Sequence, residues 1–336
     1  MTAFRRVFLA LAGVLSLVLS TSSAAQSPSP AQGFPNRAVD FITPVGAGGG
    51  TDIMSRLLAG KLAERWGQPV VVQNKIGGRG AIAGQAVVRS KPDGYTVYIA
   101  AAGNITISPY LGDMGFDPEK DLAAVSVLAT APYVVIVNPK VVTVASIRDF
   151  IAAAAKNPGQ FTWGSSTFSS VDHLAGESFQ MMTRTQLTHV PYKTGANALV
   201  DITAGRVSLG FLTIPTTLQY IKTGQLKALG VSDRKRSNLL PDVPTIAEAG
   251  VPGYEVLTWY GAWVPSKTPQ AIVDKLATDI RSVIFEDGTR QKIIGMGFDP
   301  TAGTAADAAA FVKSEAARFS KIIEATGLKE KDAAGR

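Results

Sequence analysis

The sequence predicts an α/β fold of two lobes, each a mostly parallel sheet flanked by helices, that face each other across a ligand cleft. Two observations predict this fold. Short apolar runs alternate with helical patterns along the chain, which is typical of parallel sheets with helices on their faces. The chain also has 336 residues, of which 46% are hydrophobic, enough for two domains that each have a core.

The N-terminus has the features of a signal peptide. Arg5 and Arg6 precede an apolar run over residues 7–19, and small residues follow up to Ala25. The run is too short to cross a bilayer comfortably, although a short membrane anchor is the alternative. We predict that residues 1–25 direct export and that residues 26–33 form a flexible leader. The paired arginines loosely resemble a twin-arginine signal, and the ordinary secretory route stays open.

Composition excludes several classes of function. The absence of cysteine excludes disulfides, thiolate nucleophiles, cysteine metal sites and a lipid-anchored cysteine, so we expect a free protein of the periplasm. Two isolated histidines give no metal-ligand spacing, and we expect no metal and no cofactor. Without residues 1–25 the chain has 31 basic and 26 acidic residues, a weak bias towards anionic ligands. The chain has no basic run interleaved with aromatic residues, so we expect no nucleic-acid partner.

Element patterns divide the chain into two units. We expect the first lobe to comprise residues 34–130 and 257–330, and the second lobe residues 131–256. Strands are predicted at residues 38–43, 70–72, 95–101, 122–129, 133–137, 161–164, 188–190, 208–211, 226–232 and 258–264. Helices are predicted from Thr51 or Asp52 to residue 66, at 81–89, up to 156 after a Ser146 cap, at 171–183 and 196–204, after Thr268 as cap, and after Thr304 as cap.

The first candidate ligand loop lies between the first strand and its helix. Glycines let a backbone approach a ligand closely, and a helix start offers free N–H groups and a favourable dipole. The segment lacks the Gly-Lys-Ser/Thr ending of a nucleotide P-loop. A tight turn without a ligand is the alternative. The candidate binding residues are Gly48, Gly49, Gly50, Thr51 and Asp52.

The second loop, residues 77–83, matches the dinucleotide pattern G-x-G-x-x-A. A dinucleotide site also needs an acid at the end of the next strand, where this chain has residues 100–104 without one. A loop that contacts an anion is therefore favoured over a nucleotide site, with a plain turn as the alternative. The candidate residues are Gly78, Gly80 and Ala81, joined by Gly103 and Asn104 after the next strand.

The third loop, residues 164–170, is rich in hydroxyls next to a helix start. Hydroxyls can bind an anion there, or they can only cap the helix. A serine nucleophile would need a positioned base, and the spacing of the two histidines matches no triad pattern. An exported serine hydrolase stays as the alternative from another class, and we expect no enzyme. The candidate residues are Ser165, Ser166, Thr167, Ser169, Ser170 and His173.

The fourth loop, residues 190–196, again joins a strand to a helix. Its candidate residues are Tyr192, Lys193, Thr194 and Gly195. Lys193 is a possible positive contact, although a solvated surface lysine is the alternative. Ligands of open α/β sheets bind beyond the carboxyl ends of the strands. The four loops together therefore predict a cleft for a small organic anion, most simply a carboxylate.

These segments resemble the substrate-binding proteins of tripartite tricarboxylate transporters, the Bug-type periplasmic receptors. The resemblance runs in collinear order from about residue 34 to 328. It implies a type II periplasmic-binding-protein fold that closes on a carboxylate, a monomer, and membrane transporter subunits as partners. The segments that carry it include Phe34-Pro35-Asn36-Arg37, Gly48-Gly49-Gly50-Thr51-Asp52, Pro92-Asp93-Gly94-Tyr95-Thr96, His189-Val190-Pro191-Tyr192-Lys193 and Leu239-Leu240-Pro241-Asp242-Val243-Pro244-Thr245.

The chain departs from the family pattern within the candidate loops. Gly46 replaces a usual proline or alanine, Thr167 and Ser169 replace glycines, and Thr194 replaces a glycine. We expect backbone groups from Gly48 to Thr51 to hold one end of the ligand. Ser165, Ser166, Ser170 and Thr194 are expected to hold the other end. A periplasmic partner that presents the same ligand to a signalling protein is the remaining alternative.

Overall fold

A computed structural model describes residues 31–166 and 170–328. The predicted signal peptide, most of the leader, and the candidate residues Thr167 and Ser169 lie outside the described residues. Within the described ranges, no helix combines the length and the apolar character needed to span a membrane.

Two sheets joined by one shared strand form the frame of the molecule, and the sequence placed most of their strands correctly. The strands of the described ranges are β1 (Val39–Thr43), β2 (Val70–Asn74), β3 (Thr96–Ala101), β4 (Leu122–Val137), β5 (Thr162–Ser165), β6 (Thr188–Pro191), β7 (Leu209–Thr213), β8 (Lys227–Val231), β9 (Leu257–Pro265) and the short β10 (Asp299–Pro300).

The first lobe is built on the order β2-β1-β3-β9-β4. β1 runs parallel to β2 and β3, with Val39 opposite Val70 and Phe41 opposite Val97. β9 is antiparallel to both β3 and β4. The carboxyl ends of β1, β2 and β3 therefore lie at one edge, where their following loops meet.

The second lobe repeats this arrangement with the order β4-β7-β5-β6, and β8 pairs with the other side of β4. β5 is parallel to β6 and β7, while β7 and β8 are antiparallel to β4. The α/β architecture predicted for the chain is confirmed, with antiparallel strands where the lobes join.

The prediction of two separate strands at 122–129 and 133–137 was wrong, because β4 is one continuous strand. It pairs with β9 as far as Pro132, opposite Leu257, and from Tyr133 onward it pairs with β7. Pro132 lacks an N–H group and cannot donate a backbone hydrogen bond to a neighbouring strand. It lies where β4 changes its partner from β9 to β7, so few hydrogen bonds between strands are lost there. β4 and β9 thus carry the chain between the lobes.

Helices cover the sheets. The helices of the described ranges are α1 (Gly50–Trp66), α2 (Ala81–Val88), α3 (Ser108–Leu111), α4 (Pro118–Asp121), α5 (Ile147–Lys156), α6 (Val171–Thr183), α7 (Gly195–Thr203), α8 (Ile214–Lys222), α9 (Gln270–Phe285), α10 (Asp287–Gly295) and α11 (Ala305–Thr326). A 3-10 turn at Gly78–Gly80 and a π-helical turn at Gly103–Ile107 precede α2 and α3.

Two predicted helix starts were wrong. α1 begins at Gly50 with Gly49 as its N-cap, because Asp52 turns its carboxylate to the preceding loop rather than capping the helix. α9 has Pro269 as N-cap, while the Thr268 hydroxyl donates to the Pro265 carbonyl. The sequence reading also did not identify α8 and α10.

The cores lie between sheets and helices, as the apolar stripes predicted. Met54, Leu58 and Leu62 of α1 are buried against the first sheet. Trp163 and Phe211 pack with α6 in the second lobe. α11 contacts β4 and also α6, so the last helix spans both lobes.

Candidate functional site

A cavity of about 550 Å³ lies between the two lobes. Loops after β1, β2, β3, β5, β6 and β7 form its walls, and β4 and β9 contribute its floor. This volume lies within the range of small-molecule sites. The predicted residues at its wall are Gly49, Gly50, Thr51, Gly78, Gly80, Gly103, Asn104, Ser166, Ser170, Lys193, Thr194 and Gly195.

Other predicted residues of the described ranges do not line this cavity. They are Gly48, Asp52, Ala81, Ser165, His173 and Tyr192. His173 instead lines a second cavity on the far side of α6, together with Glu177 and His189.

The β1–α1 loop presents a helix start without a side-chain cap. Gly49 is the N-cap, and the first helical bond joins the Ile53 N–H to the Gly49 carbonyl at 3.0 Å. The N–H groups of Gly50 and Thr51 therefore have no intrahelical acceptor. A Cβ at Gly50 would lie 2.4 Å from the Tyr260 hydroxyl. Only glycine lets the helix start approach the cavity floor this closely.

Asp52 supports this loop from behind. Its carboxylate accepts from the Gly48 N–H at 3.0 Å, the Asn74 amide at 2.9 Å and the Arg56 guanidinium at 3.0 Å. Burial raises the pKa of Asp52, but the hydrogen bonds from Arg56, Asn74 and Gly48 outweigh it, so its pKa lies below the ordinary value. Asp52 fixes the loop and does not face the cavity.

The β2–α2 loop turns through left-handed backbone at consecutive residues. Gly78 has φ 56°, Arg79 has φ 55° and Gly80 has φ 101°. The Arg79 carbonyl accepts from the Asn104 amide at 3.2 Å and the Ser108 hydroxyl at 3.0 Å. These bonds hold Arg79 in a conformation that L-residues seldom adopt. Arg79 thus lies in the cavity wall in a fixed backbone position.

The polar groups of Ser165 and Ser166 in the third loop form hydrogen bonds with other groups of the protein. The Ser165 hydroxyl lies 2.7 Å from His189 Nε2. The Ser166 N–H and hydroxyl donate to the Asp172 carboxylate at 2.6 Å and 2.9 Å. Asp172 is buried in the first turn of α6 and lines the cavity. Burial raises the pKa of Asp172, and the hydrogen bonds from Ser170 and Ser166 offset this only in part.

The pairing of Ser165 with His189 does not make an accessible nucleophile. Ser165 is fully buried and is absent from the cavity wall. His189 stacks on His173 at 4.3 Å between ring centroids, and His173 Nε2 lies 3.7 Å from a Glu177 oxygen. This arrangement favours a packed aromatic and imidazole cluster over a hydrolase site.

The β6–α7 loop presents a second helix start and a cation. The Thr194 hydroxyl caps α7, since it accepts from the Asn197 N–H at 3.2 Å. Gly195 and Ala196 line the cavity, and their N–H groups precede the first helical bond. Lys193 is exposed at the cavity wall. Tyr192 points elsewhere, because its hydroxyl donates to Asp201 at 2.6 Å.

The loops of the two lobes meet at the cavity. A Cβ placed on Gly46 of the first lobe would lie 3.6 Å from Thr194 Cγ2 of the second lobe. Within the second lobe, a Cβ on Gly195 would lie 3.9 Å from the Cβ of Ser166, so the β5–α6 and β6–α7 junctions adjoin there. The predicted convergence of strand–loop–helix junctions from both lobes is therefore present in the structure.

The sequence reading missed the floor of the cavity and one junction. Tyr133 of β4 and Tyr260 of β9 form the floor with Thr258, and Thr213 and Thr216 line the wall at the β7–α8 junction. Pro215 in the first turn of α8 was a signal for a helix start. The floor gave no local signal, since it arises where β4 and β9 cross between lobes.

Comparisons with known proteins identify the family. The family model "Tripartite tricarboxylate transporter family receptor" matches residues 54–328. BugT of Bordetella pertussis is 32% identical over 324 residues, covering 96% of this chain and 98% of BugT. A solved Rhodopseudomonas palustris protein with adipate shares 36% identity at a TM-score of 0.83, over 88% of this chain and 98% of that one.

A second solved structure has the same fold with another ligand. MatC from Rhodopseudomonas palustris, with bound malate, is 25% identical at a TM-score of 0.80. The match covers 86% of this chain and all of that one. The resemblance predicted from the sequence is confirmed. The chain belongs to the tripartite tricarboxylate transporter receptor family, a family of periplasmic solute-binding receptors.

Proposed function

We propose that the protein captures a small organic anion with a carboxylate group in the interlobe cavity and delivers it to integral-membrane transporter subunits. One observation carries this proposal. The starts of α1 and α7, one from each lobe, line the same cavity with residues whose backbone N–H groups have no intrahelical acceptor. Two such starts attract a negative charge from both sides.

The size of these effects suits a transport receptor. A helix start contributes about 0.3–1 kcal/mol to a bound charge, and each hydrogen bond to a charged group about 1.5–3 kcal/mol. Micromolar affinity needs roughly 8 kcal/mol in total. A few such bonds, together with the exclusion of water as the lobes close, supply that amount.

Positive side chains support the same proposal. Lys193 of the second lobe lines the cavity, as does Arg79 of the first lobe, whose guanidinium donates to the Leu111 carbonyl at 3.4 Å. The similar solved structures hold adipate and malate, and both of these ligands are carboxylates. We therefore assign the carboxylate to the backbone of Gly50, Thr51 and Gly195, with Lys193 as the nearby cation.

This assignment differs from the expectation for the hydroxyl groups. Ser165, Ser166 and Thr194 were expected to bind the ligand directly, but each hydroxyl has a partner within the protein. We propose that they hold the loops in place.

The proposal also includes export by residues 1–25, a monomeric receptor, and lobes divided near residues 130 and 257.

A thermal-melt screen of mono-, di- and tricarboxylates tests the proposal. A ligand at 100 times its dissociation constant should add about 2.7 kcal/mol to the free energy of unfolding. Lys193→Gln should weaken the best ligand by up to about fivefold, as expected for one solvent-exposed charge. Lys222→Gln, which removes an exposed lysine from α8 away from the cavity wall, should leave affinity unchanged. A broad panel without any shift in melting would contradict the proposal.

A further inference from the structure

An acidic side chain lies in the cavity that we propose for an anion. Of the described residues that line the cavity, Asp172 alone carries a carboxyl group. It is 3% exposed, so water screens its charge poorly. A cavity that only attracted anions would not have this group in its wall.

The surroundings of Asp172 show what the carboxylate does there. It accepts from the Ser166 N–H at 2.6 Å and the Ser166 hydroxyl at 2.9 Å. The Ser170 hydroxyl and the backbone N–H of Asp172 also bond to it. These donors belong to the β5–α6 junction, which the sequence indicated as a ligand site. The carboxylate of the protein itself therefore occupies the position where a ligand anion would bind.

Asp52 provides a comparison within the same chain. It also lies buried in the first turn of a helix that starts at the cavity. However, Asp52 turns away from the cavity and bonds to the Arg56 guanidinium. The partners of Asp172, Ser166 and Ser170, are neutral. Among the described residues, the hydrogen-bond partners of Asp172 thus include no cation, and Asp172 lines the proposed ligand cavity.

Neutral groups lie near Asp172 in the cavity wall. The phenols of Tyr133 and Tyr260 lie near Asp172, and burial together with its charge raises the pKa of both. Thr258 lies beside them at the floor. Arg79 and Lys193 are the cations of the wall, contributed by the β2–α2 and β6–α7 loops. The cavity wall therefore combines two cations with one buried carboxylate.

We propose that Asp172 determines specificity by rejecting a second carboxylate. The ligand of this chain would then carry one carboxylate and, at the end facing Asp172, an uncharged hydrogen-bond donor such as an amide or a hydroxyl group. The inference rests on the proposed function and narrows the ligand class. Two carboxylates within several ångströms repel strongly where the dielectric constant is low, whereas an N–H or O–H donor gains a charge-assisted bond.

Calorimetric titration of matched ligand pairs tests this proposal. The pairs are unbranched diacids of four to six carbons, including adipate, and their monoamides, which differ in one charged end. At neutral pH the wild type should bind the preferred monoamide about tenfold to a hundredfold more tightly than its diacid. In Asp172→Asn the diacid should gain at least about tenfold, while the monoamide stays within about threefold.

Controls separate the local effect from charge and folding. Asp242→Asn removes an exposed acid of the second lobe that does not line the cavity, and it should leave the preference for the monoamide unchanged.

If Asp172→Asn fails to fold, proton uptake by the wild type on ligand binding provides a second test. Titrations in two buffers of different ionisation enthalpy should show proton uptake with any diacid that binds, and none with its monoamide. Loss of that uptake in Asp172→Ser would exclude His173 and His189 as the source.

Each outcome bears on one proposal or on both. If the wild type prefers the diacid of every pair, without proton uptake and without change in Asp172→Asn, the inference is overturned and the proposed function stands. If no carboxylate binds to the wild type or to the variant, the proposed function fails and the inference fails with it. A preference of the wild type for the monoamide that is reduced at least about tenfold in Asp172→Asn, but not in Asp242→Asn, supports both.

Discussion

At the residue scale, two glycines of α1 have opposite roles. Gly50 lies at the helix start, where a Cβ would meet the Tyr260 hydroxyl at 2.4 Å. Gly60 lies in the exposed interior of the same helix, and a Cβ there would meet nothing within 4 Å. The glycine at 50 is required by close approach, whereas the glycine at 60 only costs conformational entropy.

We expect alanine at these two positions to change stability in opposite directions. Gly50→Ala should lower the free energy of unfolding by about 1–3 kcal/mol, because buried atoms must move apart, and it should weaken carboxylate binding. Gly60→Ala should raise the free energy of unfolding by about 0.5–1 kcal/mol. Urea denaturation measures both changes. Equal effects of the two substitutions would contradict the contact between Gly50 and Tyr260.

Asp172 also predicts a dependence of stability on pH. Its pKa in the folded protein lies above the ordinary value of 3.8, chiefly because it is buried. Between these two pKa values the folded state binds more protons than the unfolded state, so the free energy of unfolding falls as pH rises. The wild type minus Asp172→Asn difference should decrease as pH rises from about 4. A difference that stayed constant or increased with pH would contradict the assignment.

At the element scale, the sequence predicted junctions better than helix starts and sheet crossings. The strand–loop–helix order after β1, β2, β5 and β6 follows from apolar runs and nearby glycines and hydroxyls. The capping box of α11, Thr304 with Asp307, was predicted and is present. These features depend on residues close in sequence, so local patterns reveal them.

The missed features depend on residues that are distant in sequence. Thr51 and Asp52 have the composition of caps, but the contact of Asp52 with Asn74 draws it away from that role. Two strands were predicted at 122–129 and 133–137, yet β4 is continuous, with β9 pairing on one side of Pro132 and β7 on the other. The cavity floor at Tyr133 and Tyr260 has the same origin, because only the crossing of two strands brings these residues together.

The α11 cap gives a prediction about one element. The Thr304 hydroxyl accepts from the Asp307 N–H at 3.1 Å and donates to its carboxylate at 2.7 Å. Thr304→Ala should lower the free energy of unfolding by about 0.5–2 kcal/mol. Ser314→Ala, on the exposed side of the same helix, should change it by less than about 0.5 kcal/mol. Similar losses in both variants would show that the cap does not stabilise α11.

At the scale of the whole molecule, the two lobes approach each other at the cavity near Gly46 and Thr194. The strands β4 and β9 connect the lobes at the floor, and α11 packs against both. We infer that a ligand enters when the loops part and is enclosed when they meet. The free energy that closes the lobes then comes from contacts that both lobes make to one anion.

A disulfide across the cavity tests this inference. A Cβ on Gly46 would lie 3.6 Å from Thr194 Cγ2, so these two positions of opposite lobes are close enough to test an engineered disulfide. The chain has no cysteine to compete. The double variant with cysteines at both positions should form an intramolecular disulfide that prevents uptake of ligand, and reduction should restore uptake. The single-cysteine variants serve as controls. Unchanged uptake by the oxidised protein would contradict lobe opening.

The central claim is that helix starts from both lobes bind one carboxylate between them. A crystal structure with the preferred carboxylate bound tests it most directly. We predict carboxylate oxygens within about 2.7–3.2 Å of the backbone nitrogens of Gly50 or Thr51, with the second lobe closed over the ligand. A ligand bound at the separate cavity beside His173, with the interlobe cavity filled only by solvent, would contradict the claim.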